Sequence, residues 1–150
     1  MPQTEGPYYT PGAPERADVT DEGTVGTPLL LTGVVFDSTC APVAGARLDF
    51  WQADGAGRYD NSGFGLRGYQ LTDAQGRYSL TTVIPGQYPG RTEHIHLKVT
   101  PPAGSTITSQ LYFPGAPGNE QDRFYVASME ISINAESDAG MSATYNLLLP

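Results

Sequence analysis

Both histidines of the chain fall in one stretch, Pro85-Gly86-Gln87-Tyr88-Pro89-Gly90-Arg91-Thr92-Glu93-His94-Ile95-His96. A neutral imidazole offers a lone pair near neutral pH and is a common metal ligand. On a strand, side chains at i and i+2 share a face, so His94 and His96 stand with Cα atoms roughly 6.6 Å apart. Two rings at that separation can converge on one ion. Ile95, Leu97 and Val99 then line the opposite face, which is apolar and reads as core. An HxH pair also suits a solvated strand face. The chemical reading gains from the absence of any other histidine and from the Tyr-Pro turn and arginine just upstream. Sites that begin with HxH and continue with a nearby Glu and a third His do not fit, because Leu97, Lys98, Val99 and Thr100 follow. Any remaining ligands are not histidines.

The elements that must position this pair read as short strands. Leu29 to Phe36 is dense in Leu, Val and Phe and reads as a buried strand. Ala46 to Gln52 alternates Ala46, Leu48 and Phe50 against Arg47, Asp49 and Trp51. Leu66 to Thr72, Arg77 to Ile84, 94–100, Ile107 to Phe113, Met129 to Ile133 and Ala143 to Leu149 complete the series. The punctuation is turn-like, as at Asp54-Gly55-Ala56-Gly57, Asp73-Ala74-Gln75-Gly76 and Pro101-Pro102-Ala103-Gly104. A short helical turn fits the 119–127 region. About eight short strands with no useful helical period predict an all-β fold, a β-sandwich. Residues 1–27 carry neither period and read as an extended arm docked on the domain at 28–150, with Tyr8-Tyr9 as its contact.

With 150 residues, the chain suits one domain. Its 18 glycines and 13 prolines mean many turns. A net charge of −8 argues against nucleic acid or an anionic membrane as partner. No apolar run approaches membrane-spanning length. Cys40 is the single cysteine, so no disulfide framework within the chain is possible.

Two layers of resemblance follow. The frame Gly33-Val34-Val35, Pro42-Val43-Ala44-Gly45-Ala46, Thr72-Asp73-Ala74-Gln75-Gly76-Arg77-Tyr78 and Pro85-Gly86-Gln87-Tyr88 is similar to transthyretin-like and carboxypeptidase-regulatory β-sandwich modules, which are mostly non-catalytic. That frame alone implies a binding or structural domain. A more specific set resembles, in order, the motifs of the intradiol ring-cleavage dioxygenases. It comprises Glu5-Gly6-Pro7-Tyr8-Tyr9, Trp51-Gln52-Ala53-Asp54-Gly55-Ala56-Gly57-Arg58-Tyr59, Pro85-Gly86-Gln87-Tyr88-Pro89, Arg91-Thr92-Glu93-His94-Ile95-His96 and Gln110-Leu111-Tyr112-Phe113.

The second resemblance implies a mononuclear Fe(III) held by Tyr59, Tyr88, His94 and His96. Hard anionic phenolate oxygens suit a hard trivalent ion, and a bound cation favours the deprotonated phenol. It implies O2-dependent cleavage of a catechol-type diol between its two hydroxylated carbons, giving a cis,cis-muconate-type product. Tyr88 would leave the metal as substrate binds and take a substrate proton. Arg91 would stabilise negative charge on the bound ring, against the alternative of a surface arginine. Gln110 would orient the substrate, with Pro7, Tyr8 and Asp54 as pocket walls. Beyond Arg91 no basic cluster marks a carboxylate pocket, so plain catechol or hydroxyquinol is expected over protocatechuate. The helical segment that dimerises large family members is absent, which leaves the oligomeric state open. The compact members similar to this chain are often secreted, so an extracellular location is expected, with a cytoplasmic one as alternative. In some of them a cysteine near position 40 pairs with one at the position of Ala53; here Cys40 has no such partner.

Overall fold

Strand β1 (Pro28–Phe36) alternates in the way a one-sided strand must. Leu29, Leu31 and Val35 are buried, while Leu30 is 44% exposed. Its density of apolar residues suggests burial on both faces, but only one face is covered. The computed structural model describes Gln3 and residues 5–150; Met1, Pro2 and Thr4, part of the expected arm, lie outside the described residues. The other strands are β2 (Arg47–Gln52), β3 (Arg67–Leu71), β4 (Arg77–Val83), β5 (His94–Thr100), β6 (Ile107–Tyr112), β7 (Ser132–Ser137), β8 (Gly140–Thr144) and β9 (Leu147–Leu148). They form two sheets, one in the order β4-β1-β8-β7 with β9 also on β1, the other β3-β2-β5-β6. The expected all-β sandwich is the fold.

Between the sheets pack Leu29, Leu31, Val35 and Leu80 from one side and Leu48, Phe50, Ile95, Leu97, Val99 and Leu111 from the other. Each such side chain contributes about 1.5–3 kcal/mol on leaving water. Register then fixes the outer face of the second sheet. Arg67 faces Trp51, Trp51 faces His96, His96 faces Gln110, and His94 faces Tyr112. A one-residue slip would send this row into the core and the apolar row outward.

Strand β2 is buried on both faces because the arm covers its outer side. Gln3 N–H donates to the Thr108 carbonyl (2.7 Å), and Tyr9 packs on Trp51 with ring centres 4.8 Å apart. Lys98 pairs with Glu5 and sits 3.8 Å from the centre of the Tyr9 ring. Further along, Arg16 N–H donates to the Tyr69 carbonyl on β3 (2.9 Å) and Val19 N–H to Thr81 on β4 (3.0 Å).

The C-terminal third departs from expectation. Single turns of 3-10 helix occupy Asn119–Gln121 and Ala127–Met129. Met129 and Ile131 are buried in the crossover between sheets, where Ile131 N–H donates to the Tyr112 carbonyl (2.9 Å), so the strand expected at 129–133 is strand only at its end, where β7 begins at Ser132. Strand β7 is mostly exposed, and its alternating Ile133 and Ala135 are separated by a register shift against β8. The expected strand at 143–149 is two, β8 and β9, both parallel to β1. They are separated where the Tyr145 carbonyl leans across Gly33: a Cβ on Gly33 would lie 1.8 Å from that oxygen. Nine strands therefore stand where about eight were expected.

Candidate metal centre

Strand β5 presents His94 and His96 on one buried face, as the i, i+2 spacing requires. Their Nε2 atoms are 3.0 Å apart. The Tyr59 hydroxyl lies 3.0 Å from His96 Nε2 and 3.5 Å from His94 Nε2. Tyr88 stands beside them, its ring centre 5.6 Å from that of His94 and 5.7 Å from that of Tyr59. Donors on adjacent vertices around one ion, at bonds of about 2.1 Å, stand roughly 3 Å apart. The spacing of these three donor atoms meets that demand.

The protonation pattern also fits a metal. His94 Nδ1 faces the Thr92 carbonyl at 2.7 Å, so Nδ1 carries the proton and Nε2 carries the lone pair. Burial, then the charge of Arg91, pushes the His94 pKa down to about 4. Burial, His94 and Arg91 push His96 well down as well. Both rings stay neutral and able to donate at ordinary pH. The Nδ1 of His96 is buried with no partner among the described residues. Burial raises the pKa of Tyr59, and the Tyr88 phenol adds to it. Burial also raises Tyr88, opposed by Arg91. Phenols so placed give up their protons only to a strongly attracting cation. Among the described residues no three of His, Cys, Asp and Glu form a metal-binding group, so an ion held here would draw on the phenols beside the two imidazoles.

Local structure explains how loops bring the tyrosines in. Asp54 Oδ1 accepts from the N–H of Ala56 (2.9 Å) and Arg58 (3.0 Å), folding the turn before Tyr59. Gly57, at φ +82°, closes that turn against the loop before Tyr88: a Cβ there would lie 2.1 Å from the Gln87 carbonyl oxygen. After Tyr59, the Asp60 carboxylate accepts from the N–H groups of Gly65, Ser62 and Gly63, which hold its pKa down to about 2. Tyr8 stacks on Tyr59 at 4.3 Å, and Trp51 stacks on His96 at 4.8 Å with ring planes 4° apart.

Arg91 is not on the surface. Its Nη1 donates to the Tyr88 hydroxyl (3.2 Å), its Nη2 to Gln110 Oε1, and its Nε to Asp122 Oδ2 (2.8 Å). Gln110 is fully buried and also accepts from the Tyr112 hydroxyl (3.0 Å). Asp54 is drawn elsewhere: its carboxylate serves its own turn and an Arg58 contact at 3.6 Å, and it lines a separate cleft with Arg58, Tyr59 and Asp60. Pro7 is exposed at the turn that delivers Tyr8.

Against known proteins, the family model described as "Dioxygenase" matches residues 4–149. The chain belongs to the intradiol dioxygenase family. Within that family it is 30% identical to a chlorocatechol 1,2-dioxygenase of Pseudomonas sp. (strain P51), over 81% of this chain and 58% of that one. It is 29% identical to a catechol 1,2-dioxygenase of Candida albicans, over 87% of this chain and 52% of that one. The chain thus spans about half the length of these relatives. Its fold superposes with TM-score 0.95 on the dioxygenase domain of a dioxygenase carbohydrate-binding protein fusion from Streptomyces sp. SirexAA-E, at 42% identity, covering 99% of this chain and 96% of that one.

Sequence reasoning about this family member missed Asp122, Arg67 and Thr92. Arg67 is buried, donating through Nε to the Asp60 carbonyl (3.1 Å) and through Nη1 to the Tyr8 carbonyl. The register of β3 on β2 sets it opposite Trp51. Asp122 left no signal, since the partners that tie it to the site, Thr92 and Arg91, lie 30 and 31 residues away.

Proposed function

We propose that this chain opens the ring of catechol-type diols with O2, by intradiol cleavage, using Fe(III) held by Tyr59, Tyr88, His94 and His96. The observation that carries this reading is the approach of both Nε2 atoms and the Tyr59 hydroxyl to within 3.0–3.5 Å of one another, with Tyr88 alongside. A sandwich module that only binds or spaces has no use for two buried neutral imidazoles facing one another. Bound ferric iron would supply a Lewis-acidic centre that takes the catecholate and makes its ring reactive toward O2.

The protein's own groups do the rest. His94 and His96 stay in place on β5. Tyr88, half-buried and on a loop, is the donor free to move aside and accept a proton from a substrate hydroxyl. Arg91 Nη1 is already hydrogen-bonded to the Tyr88 oxygen and can stabilise negative charge there or on substrate. Tyr8 and Trp51 shield the donors from bulk water.

A cleft of about 370 Å³ adjoins Tyr88 and Arg91, with Gln87, Gln121 and Asp122 in its walls. Among the described residues Arg91 is the one basic residue lining it, and Asp122 already matches that charge. A substrate carboxylate would find no spare cation, which supports catechol or hydroxyquinol over protocatechuate. The test is iron reconstitution followed by oxygen uptake with catechol. A wine-red protein that converts catechol to cis,cis-muconate is expected. A colourless iron-loaded protein, or a yellow semialdehyde as main product, overturns the reading.

A further inference from the structure

Asp122 lies in the loop after β6, outside every motif that pointed to the metal centre, and its side chain is fully buried. One carboxylate oxygen, Oδ2, accepts from Arg91 Nε (2.8 Å) and from the Thr92 N–H (2.8 Å), while Oδ1 accepts from the Phe124 N–H (2.8 Å). Two chains of contact leave this carboxylate. Through Arg91 it reaches the Tyr88 hydroxyl at 3.2 Å and Gln110 Oε1. Through the Thr92 backbone it reaches His94, because the Thr92 carbonyl accepts from His94 Nδ1 at 2.7 Å. Thr92 is fixed from its side chain as well: its Oγ1 donates to Asn119 Oδ1 (2.6 Å), and Asn119 Nδ2 donates to the Phe113 carbonyl (2.9 Å). The loop thus holds one strand-borne and one loop-borne donor from a single anchor.

We infer that Asp122 is a positioning residue of the metal centre, orienting Tyr88 through Arg91 and His94 through Thr92. This rests on the reading of Tyr59, Tyr88, His94 and His96 as iron ligands. The physical reason is that a ligating imidazole takes its tautomer and ring orientation from the group its other nitrogen binds, and that group must itself be held. A buried carboxylate accepting three N–H groups is a stiff anchor, since losing any of them would leave charge unsolvated.

The experiment uses the iron-reconstituted chain and Asp122→Asn, which keeps shape and removes charge. Iron affinity by chelator competition, the tyrosinate-to-iron absorption band, and kcat and KM for catechol are measured together. Expected are a shifted band and a fall of about 10–100-fold in iron affinity or kcat, the usual cost of losing an outer partner. A variant with wild-type band, affinity and turnover overturns the inference. Should Asp122→Asn fail to fold, the double variant Arg91→Gln/Asp122→Asn removes both charges and leaves neither buried alone. Its comparison with Arg91→Gln isolates the Thr92–His94 branch: a further loss of iron affinity supports the role, and none overturns it. Failure of the parent reading is separable. If the wild type binds no iron, the His94 Nδ1 proton followed by NMR in the metal-free protein still tests the anchor. That proton should exchange faster in Asp122→Asn; equal exchange overturns the inference.

Discussion

His94 and His96 stand on β5, paired by ladder bonds to β2 on one side and β6 on the other. Tyr59 and Tyr88 stand on loops that meet where Gly57 packs on Gln87 and Gly86 on Gly55, with Gly86 N–H donating to the Asp54 carbonyl (2.8 Å). The histidines are buried, while the tyrosines are half-buried. Breaking the histidine half means breaking a sheet, so it is rigid by construction. The tyrosine half can shift by bending turns, so under the proposed function it would supply the donor that gives way when substrate arrives. Rigid anchoring and movable chemistry are thus divided between two kinds of backbone.

The sharpest way to break this comparison is to remove one donor from each half. His96→Ala should lose iron, with affinity falling by more than the ~10–100-fold typical of outer partners. Tyr88→Phe should keep iron while its visible band moves and turnover falls. Equal iron retention in both, measured by metal analysis, would erase the division. Next in size, Arg91→Ala should slow turnover roughly a hundredfold to a thousandfold, by analogy with losing one oxyanion-stabilising donor. Arg91 is not itself one of the proposed donors, so the variant should stay red, and the bond from Nη1 to Tyr88 predicts a displaced band. Steady-state kinetics and an absorption spectrum decide it.

Smaller still, Gly57→Ala should cost about 1–3 kcal/mol in chemical denaturation, the usual range for overpacking, because its Cβ meets the Gln87 carbonyl. Hydrogen exchange of the β5 backbone amides should be unchanged in the same variant, since the strain falls on the loops. The last prediction concerns acid. Burial works to raise the Asp122 pKa, but the Thr92 and Phe124 N–H groups and Arg91 outweigh it and hold it below its ordinary value of 3.8. A group lowered in the folded state stabilises fully above its ordinary pKa and loses that contribution as pH falls through the lowered one. Stability of the metal-free protein should therefore hold to about pH 4 and decline below it, with a shallower decline in Asp122→Asn, as followed by denaturant midpoints.

What was legible in the sequence follows the same division. The facing of His94 and His96 came from a period of two, a local property any strand obeys. Tyr59 and Tyr88 have no period around them, and only motif resemblance singled them out from nine tyrosines. Arg91 was readable as functional, but its partner was not: Asp122 sits 31 residues on, in a loop whose composition says only that it turns. Strand β7 was reached only at its first two residues, because most of it faces water and a register shift between Ile133 and Ala135 interrupts its pairing. Leu30 was misread for the opposite reason, since apolar density does not say which face is covered.

The short run from Pro14 to Val19, which ties the arm down, bonds first to β3 and then to β4. Those are the outermost strands of the two sheets, one from each. An uncovered outer strand offers unpaired N–H and C=O groups to any passing chain. The tether that keeps Tyr8 and Tyr9 over the metal face therefore also blunts two sites of unwanted self-association. A nick or substitution that released it would turn a question about catalysis into one about solubility, with aggregates appearing alongside the loss of turnover.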